Sequence, residues 1–146
     1  MDLELTRREF LKLSVVVGFE VAVGPIPCRD LTVEERHTLL QVVRTLFPHE
    51  SVGNGPYAAA VRAIEDRCSR DPAALEAITD GVAIFDRWRA GLPASASRTR
   101  RLRLLESAKG SQFFDVVYSE ALESLYGSPR VWRLFVRPAL SANQAS

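Results

Sequence analysis

Apolar residues along this chain recur three and four positions apart in one block after another, and no convincing five-residue run alternates with a period of two. The first block opens at Leu31. Thr32-Val33-Glu34-Glu35 has the spacing of a capping box, in which the threonine hydroxyl takes a backbone N–H and the glutamate reaches back to the cap. Leu39, Leu40, Val42, Val43, Leu46 and Phe47 then form a helical stripe, and Pro48 ends it because proline disfavours the α conformation in the residue before it. Residues 49–56, with Gly53-Asn54-Gly55-Pro56, read as a loop. A second helix is expected to start near Pro56 or Tyr57, with Tyr57, Val61, Ile64 and Cys68 on one face.

Asp71-Pro72 reads as a cap followed by a first helical turn. Leu75, Ile78, Val82 and Phe85 continue that third helix to Trp88 or Arg89, and Gly91-Leu92-Pro93 stops it. Gly81 inside the stripe weakens the helix by up to about 1 kcal/mol relative to alanine. Ala94 to Thr99 is small and polar, the expected flexible point of the domain. Beyond it Arg98, Arg100, Arg101 and Arg103 alternate with Leu102, Leu104 and Leu105 before Gly110. The most aromatic block follows, with Phe113, Phe114, Val116, Val117, Leu122, Leu125 and Tyr126, and Gly127 closes it. Ser128-Pro129 starts a last short helix carrying Val131, Trp132, Leu134 and Phe135. The pattern predicts an all-α bundle of five or six short helices over residues 29–138, with a polar, frayed tail at 139–146.

Residues 1–28 do not read as part of that bundle. Thr6-Arg7-Arg8-Glu9-Phe10-Leu11-Lys12 runs into the apolar Leu13-Ser14-Val15-Val16-Val17-Gly18-Phe19. Arg7, Arg8, Phe10, Leu11 and Lys12 carry the twin-arginine export signature, an address read by a receptor rather than a piece of the fold. The apolar run is shorter than the ~20 residues of a spanning helix. Glu20 interrupts it, at a cost of about 2.5–3.5 kcal/mol at a bilayer centre. A signal segment fits better than a permanent anchor, and the expected destination is the periplasm. Ala22-Val23-Gly24 supplies small residues for cleavage, but Pro25 follows at once, so removal of the signal is left open.

Setting the signal aside leaves roughly 115–120 residues, enough for one hydrophobic core. The net charge of +1 argues against a nucleic-acid binder, which normally shows a strong basic excess. Cys28 and Cys68 could form one disulfide in an oxidising compartment, if the fold brings their Cα atoms within about 7 Å. Neither belongs to a Cys-x-x-Cys motif, so dithiol redox and c-type haem roles have no support.

Catalytic chemistry is sparse. His37 falls on the polar side of the first helix, one turn from Gln41, as a solvated histidine would. His49-Glu50 offers two metal ligands without a third at a recognisable spacing. No Gly-x-Ser-x-Gly elbow and no glycine-rich phosphate loop occurs, so neither a nucleophile nor a dinucleotide site is expected in this chain. The Arg98–Arg103 segment lacks the lysines and stacking aromatics of a nucleic-acid patch, which leaves a solvated helix face or docking to an acidic partner. Trp132, Phe135 and Tyr126 are more aromatic surface than one short helix can hide, and Trp, Tyr and Arg are the residues that anchor interfaces.

Several of these segments together resemble a known family. They are the twin-arginine start, Leu31-Thr32-Val33-Glu34-Glu35 leading to Thr45-Leu46-Phe47-Pro48-His49, Tyr57 after a Gly/Pro loop, Phe113-Phe114, and Leu125-Tyr126-Gly127-Ser128-Pro129-Arg130-Val131-Trp132-Arg133-Leu134-Phe135. Over nearly its whole length the chain is similar to the gluconate 2-dehydrogenase subunit 3 family, small subunits of flavoprotein sugar and polyol dehydrogenases. It departs from the family after the tryptophan helix, where Phe135-Val136-Arg137-Pro138 replaces a Gly-Tyr-x-Gly-Pro-like turn.

The resemblance implies a subunit with no catalytic centre and no cofactor of its own. It would bind a large FAD-dependent subunit and escort it through the twin-arginine translocase, with a cytochrome c subunit usually taking the electrons. Tyr57, Arg98, Arg101, Tyr126, Trp132 and Phe135 are the expected partner-binding residues. Two other readings stay open from the residues themselves: a stand-alone exported helical protein with a metal at His49 and Glu50, and a cytosolic helical adaptor.

Overall fold

The computed structural model describes residues 29–90 and 98–134, and over these the protein is an all-α bundle with no strand. Its helices are α1 (Val33–Leu46), α2 (Asn54–Arg70), α3 (Pro72–Ala90), α4 (Arg98–Ala108) and α5 (Gln112–Tyr126), followed by a helical stretch, α6, over 129–134. None of the described helices is long and apolar enough to cross a membrane. The signal segment at 1–28 and the tail at 139–146 lie outside the described residues.

The helix starts follow the local chemistry. The Thr32 hydroxyl accepts the Glu35 N–H at 3.2 Å, and the Glu35 carboxylate accepts the Thr32 N–H at 2.7 Å, closing the capping box. The same carboxylate holds the Arg29 guanidinium at 2.6 and 3.2 Å, and Arg29 also donates to Thr79 Oγ1 on α3 at 3.2 Å. Glu35 therefore caps α1 and holds Arg29, which in turn reaches a second helix. Asp71 Oδ1 accepts the N–H groups of Ala73 and Ala74 at the start of α3. Ser111 caps α5 by accepting the Phe114 N–H at 3.2 Å.

Three boundaries differ from the pattern. α2 begins at Asn54, before Pro56, because the first four N–H groups of a helix have no partner within it and proline there sacrifices nothing. α3 runs on to Ala90. Arg98 and Thr99 are already the first turn of α4, so that part of the expected flexible stretch is helical; residues 91–97 lie outside the described residues.

α5 is the centre of the bundle. Phe113, Val117, Ala121 and Leu125, each four residues after the last, form one fully buried ridge. It packs most extensively against α2 and then α3, with Ile64, Ile78 and Val82 equally buried opposite. The ring of Phe113 lies against Gly81, and a Cβ at that position would overlap the ring. The glycine that looked like a defect in α3 is what lets the two helices approach. Gly110, at φ 85°, makes the left-handed turn out of α4, where a side chain would be strained.

Two predictions follow from these contacts. Gly81→Ala should lose about 1–3 kcal/mol to overpacking against a gain of at most ~1 kcal/mol in helix propensity, a net destabilisation visible in urea titration. Combined with Phe113→Ala, it should cost less than the two single changes summed, since the obstructing ring is gone. The second concerns pH. Burial raises the Glu35 carboxyl, but the hydrogen bonds from Arg29 and the Thr32 N–H outweigh it and hold the group below its ordinary value. A lowered folded-state pKa stabilises fully above the unfolded value and is lost as pH falls through the folded one. Glu35→Gln should therefore cost about 0.5–1 kcal/mol at neutral pH. The gap to the parent chain should close as the pH drops below about 4.3, as thermal melts across that range would record.

Candidate partner interface

The exit of α1 is fixed by a hydroxyl that arrives from α2. Tyr57 Oη donates to the Phe47 carbonyl at 2.6 Å and accepts the His49 N–H at 3.1 Å. Phe47 itself closes the helix by donating its N–H to the Val43 carbonyl at 2.9 Å. With Pro48 unable to continue the helix, the turn swings the Phe47 ring inward and the His49 ring toward the end of α5. There His49 Nε2 lies 2.8 Å from Tyr126 Oη, a hydrogen bond across 77 residues of sequence. The two rings meet edge-on at 5.9 Å between centroids.

Around this link the aromatic side chains are contiguous. The Phe47 ring lies 6.1 Å from that of Tyr126 and 5.5 Å from that of Tyr118, and Tyr118 stacks on Phe114 at 5.6 Å and 12°. Phe114, Tyr118, Leu122 and Tyr126 form a second ridge on α5, one position along from the buried one. Tyr118 is 41% exposed and Leu122 39%, so this ridge is the border where core turns into surface. Val131 on α6 is buried, and Trp132 beside it is 53% exposed. A large aromatic left half in water next to an anchored residue is the arrangement expected of an interface anchor.

The expected site residues separate on this geometry. Tyr126 is half-buried and Trp132 exposed, both on the same end of the chain, while Arg98 and Arg101 are exposed on α4. Tyr57 is not a surface residue: it is 2% exposed, its hydroxyl is spent on the 47–49 turn, and the Arg44 guanidinium lies 5.1 Å from its ring. The expectation that it contacts a partner directly is corrected to a positioning role for Phe47 and His49. Tyr118 was missed. Its signal was available in the four-residue repeat from Phe114 to Tyr126, which drifts off the core face by the mismatch between 4.0 and 3.6 residues per turn. Phe135 and the export residues Arg7, Arg8, Phe10, Leu11 and Lys12 lie outside the described residues.

Cys68 is 3% exposed inside the core, and burial, followed by the charge of Asp71, pushes its thiol up to about 11. Cys28, its expected disulfide partner, lies outside the described residues. His37 is exposed, with Gln41 Nε2 2.8 Å from its Nε2. Among the described residues no three His, Cys, Asp or Glu side chains form a group that could hold a metal ion, and Glu50 is exposed. No protein-family model matches the chain, and no curated protein or solved structure does either.

Removing the two tyrosine hydroxyls should have unequal effects. Tyr57→Phe removes one of the two donors on the buried Phe47 carbonyl, which keeps the His49 N–H at 3.0 Å, and should cost about 0.5–1.5 kcal/mol of global stability in chemical denaturation. Tyr126→Phe loses a half-exposed hydrogen bond that water can replace, and should cost under about 1 kcal/mol.

Proposed function

We propose that this chain is the non-catalytic small subunit of a periplasmic FAD-dependent sugar or polyol dehydrogenase complex, which binds the flavoprotein subunit and escorts it through twin-arginine export. The observation that carries the reading is the Arg7-Arg8-Glu9-Phe10-Leu11-Lys12 signature in front of a small helical domain. A helical domain of this size can fold after ordinary secretion, so a pathway for folded cargo makes sense when the cargo is a cofactor-loaded partner. FAD belongs to that partner, and a cytochrome c subunit would accept its electrons.

The partner surface in this reading is the Tyr126–Trp132 end of the bundle, with Arg98 and Arg101 contributing charge; Phe135 joins the proposal from sequence alone. Two features support the choice. Trp132 is half in water, and the link between His49 and Tyr126 joins two of the segments on which the family resemblance rests.

The test is made in cells. Arg7→Lys with Arg8→Lys should strand both this chain and the flavoprotein in the cytoplasm, read by fractionation and dehydrogenase activity. Trp132→Ala should leave helix content and melting unchanged while weakening capture of the flavoprotein by roughly 30-fold, as loss of an anchor worth about 2 kcal/mol does. Export of the flavoprotein without the arginine pair overturns the escort role.

A further inference from the structure

The outward side of α5 is a single stripe in which apolar side chains sit between carboxylates. Asp115, Tyr118, Ser119, Leu122 and Glu123 are all exposed. Their spacing of i, i+3, i+4, i+7 and i+8 puts them on one side of one helix, away from the buried ridge. Among the described residues neither Asp115 nor Glu123 makes an ion pair, and α5 carries a third acid, Glu120, and no base. The Phe47 ring borders the stripe, 5.5 Å from that of Tyr118. An apolar surface bounded by carboxylates selects an occupant that is itself apolar and cationic.

Residues 7–19 of the same chain have that composition. Arg7, Arg8 and Lys12 stand against one acid, Glu9, and Phe10, Leu11, Leu13 and Phe19 supply apolar surface. Asp115 and Glu123 are eight residues apart on a helix, about 12 Å. Arg8 and Lys12 are four apart, about 13 Å in an extended chain, with Phe10 and Leu11 between them as Tyr118 and Leu122 lie between the acids. The tether is long enough. Lys12 stands 17 residues before Arg29, a reach of up to about 56 Å. Arg29 is held at the start of α1, and that helix runs 14 residues, about 21 Å, before the Phe47 ring beside Tyr118. A tether of this length presents the segment at an effective concentration on the order of millimolar, so a contact too weak to hold a free peptide at micromolar levels is occupied.

We propose that residues 7–19 dock on this face of their own chain, with the arginine pair and Lys12 on Asp115 and Glu123, and Phe10 and Leu11 on Tyr118 and Leu122. The occupant lies outside the described residues. What the docking does rests on the escort reading. The face adjoins Tyr126, so a flavoprotein seated on the Tyr126–Trp132 end displaces the segment and uncovers the export address. A subunit without cargo keeps its address covered and stays in the cytoplasm.

Hydrogen–deuterium exchange of the purified full chain tests it at about 10 μM, where contact between molecules is far rarer than contact through a millimolar tether. At about 50 mM salt the amides of residues 7–19 should exchange at least about threefold more slowly in the parent than in Asp115→Lys with Glu123→Lys, the scale of two exposed ion pairs. The gap should close at about 500 mM salt. Adding Arg8→Glu and Lys12→Glu to that variant should restore slow exchange, and both variants should keep the parent's helix content. Lys12 and Lys109 are the chain's two lysines. A carbodiimide, which joins an amine to a carboxylate in contact with it, should therefore couple Lys12 to Asp115 or Glu123. Mixing labelled and unlabelled chain separates coupling within a molecule from coupling between two. Equal exchange in the parent and the Asp115 and Glu123 variant overturns the docking, as does a double reversal that stays fast. So does coupling of Lys12 only to other carboxylates or only between molecules. These readouts need no flavoprotein, so failure of the docking leaves the escort reading standing, and failure of escort in the arginine-pair variant leaves the docking standing.

Discussion

The packing of α5 onto α3 at Gly81 is the constraint on which the rest of the bundle depends. Phe113 needs the space of a missing side chain. Once its ring is seated, the ridge through Val117, Ala121 and Leu125 is carried along α2 and α3 in register, because side chains four apart stack on one face of a helix. Fixing that face fixes its neighbour. Phe114, Tyr118, Leu122 and Tyr126 are then held at the rim of the core, partly in water, whether or not anything binds there.

The second tie, from Tyr57 to the 47–49 turn, works at the opposite end of the same helix. It places His49 against Tyr126 and so joins the exit of α1 to the end of α5. The aromatic rim is thus braced at both ends, by Phe113 below and by Tyr57 behind. A rim held this way keeps its aromatic side chains in place without a partner, which lowers the ordering cost of any association.

Much of this was legible in the residues. The capping box at Thr32 and Glu35, the Asp71 cap and the stop after Leu46 stand where local chemistry put them, because each is decided within four or five residues. The start of α2 moved to Asn54 because a proline is tolerated in a first turn as readily as it opens one. Tyr57 was legible as a cue and misplaced as a contact. A tyrosine after a Gly/Pro loop gives no sign of whether its hydroxyl meets water or a carbonyl ten residues upstream.

What the sequence determined alone was the class of fold and the caps at Thr32 and Asp71, since hydrophobic period and caps are local properties of the chain. Tertiary structure alone decided why Gly81 is a glycine, that Tyr57 is buried, that His49 reaches Tyr126 and that Tyr118 comes to the surface. Each of these depends on what stands opposite a side chain, and the partner comes from another element, between eight and 77 residues away. Local free energies choose the elements, whereas only close packing between them chooses which face of each is hidden.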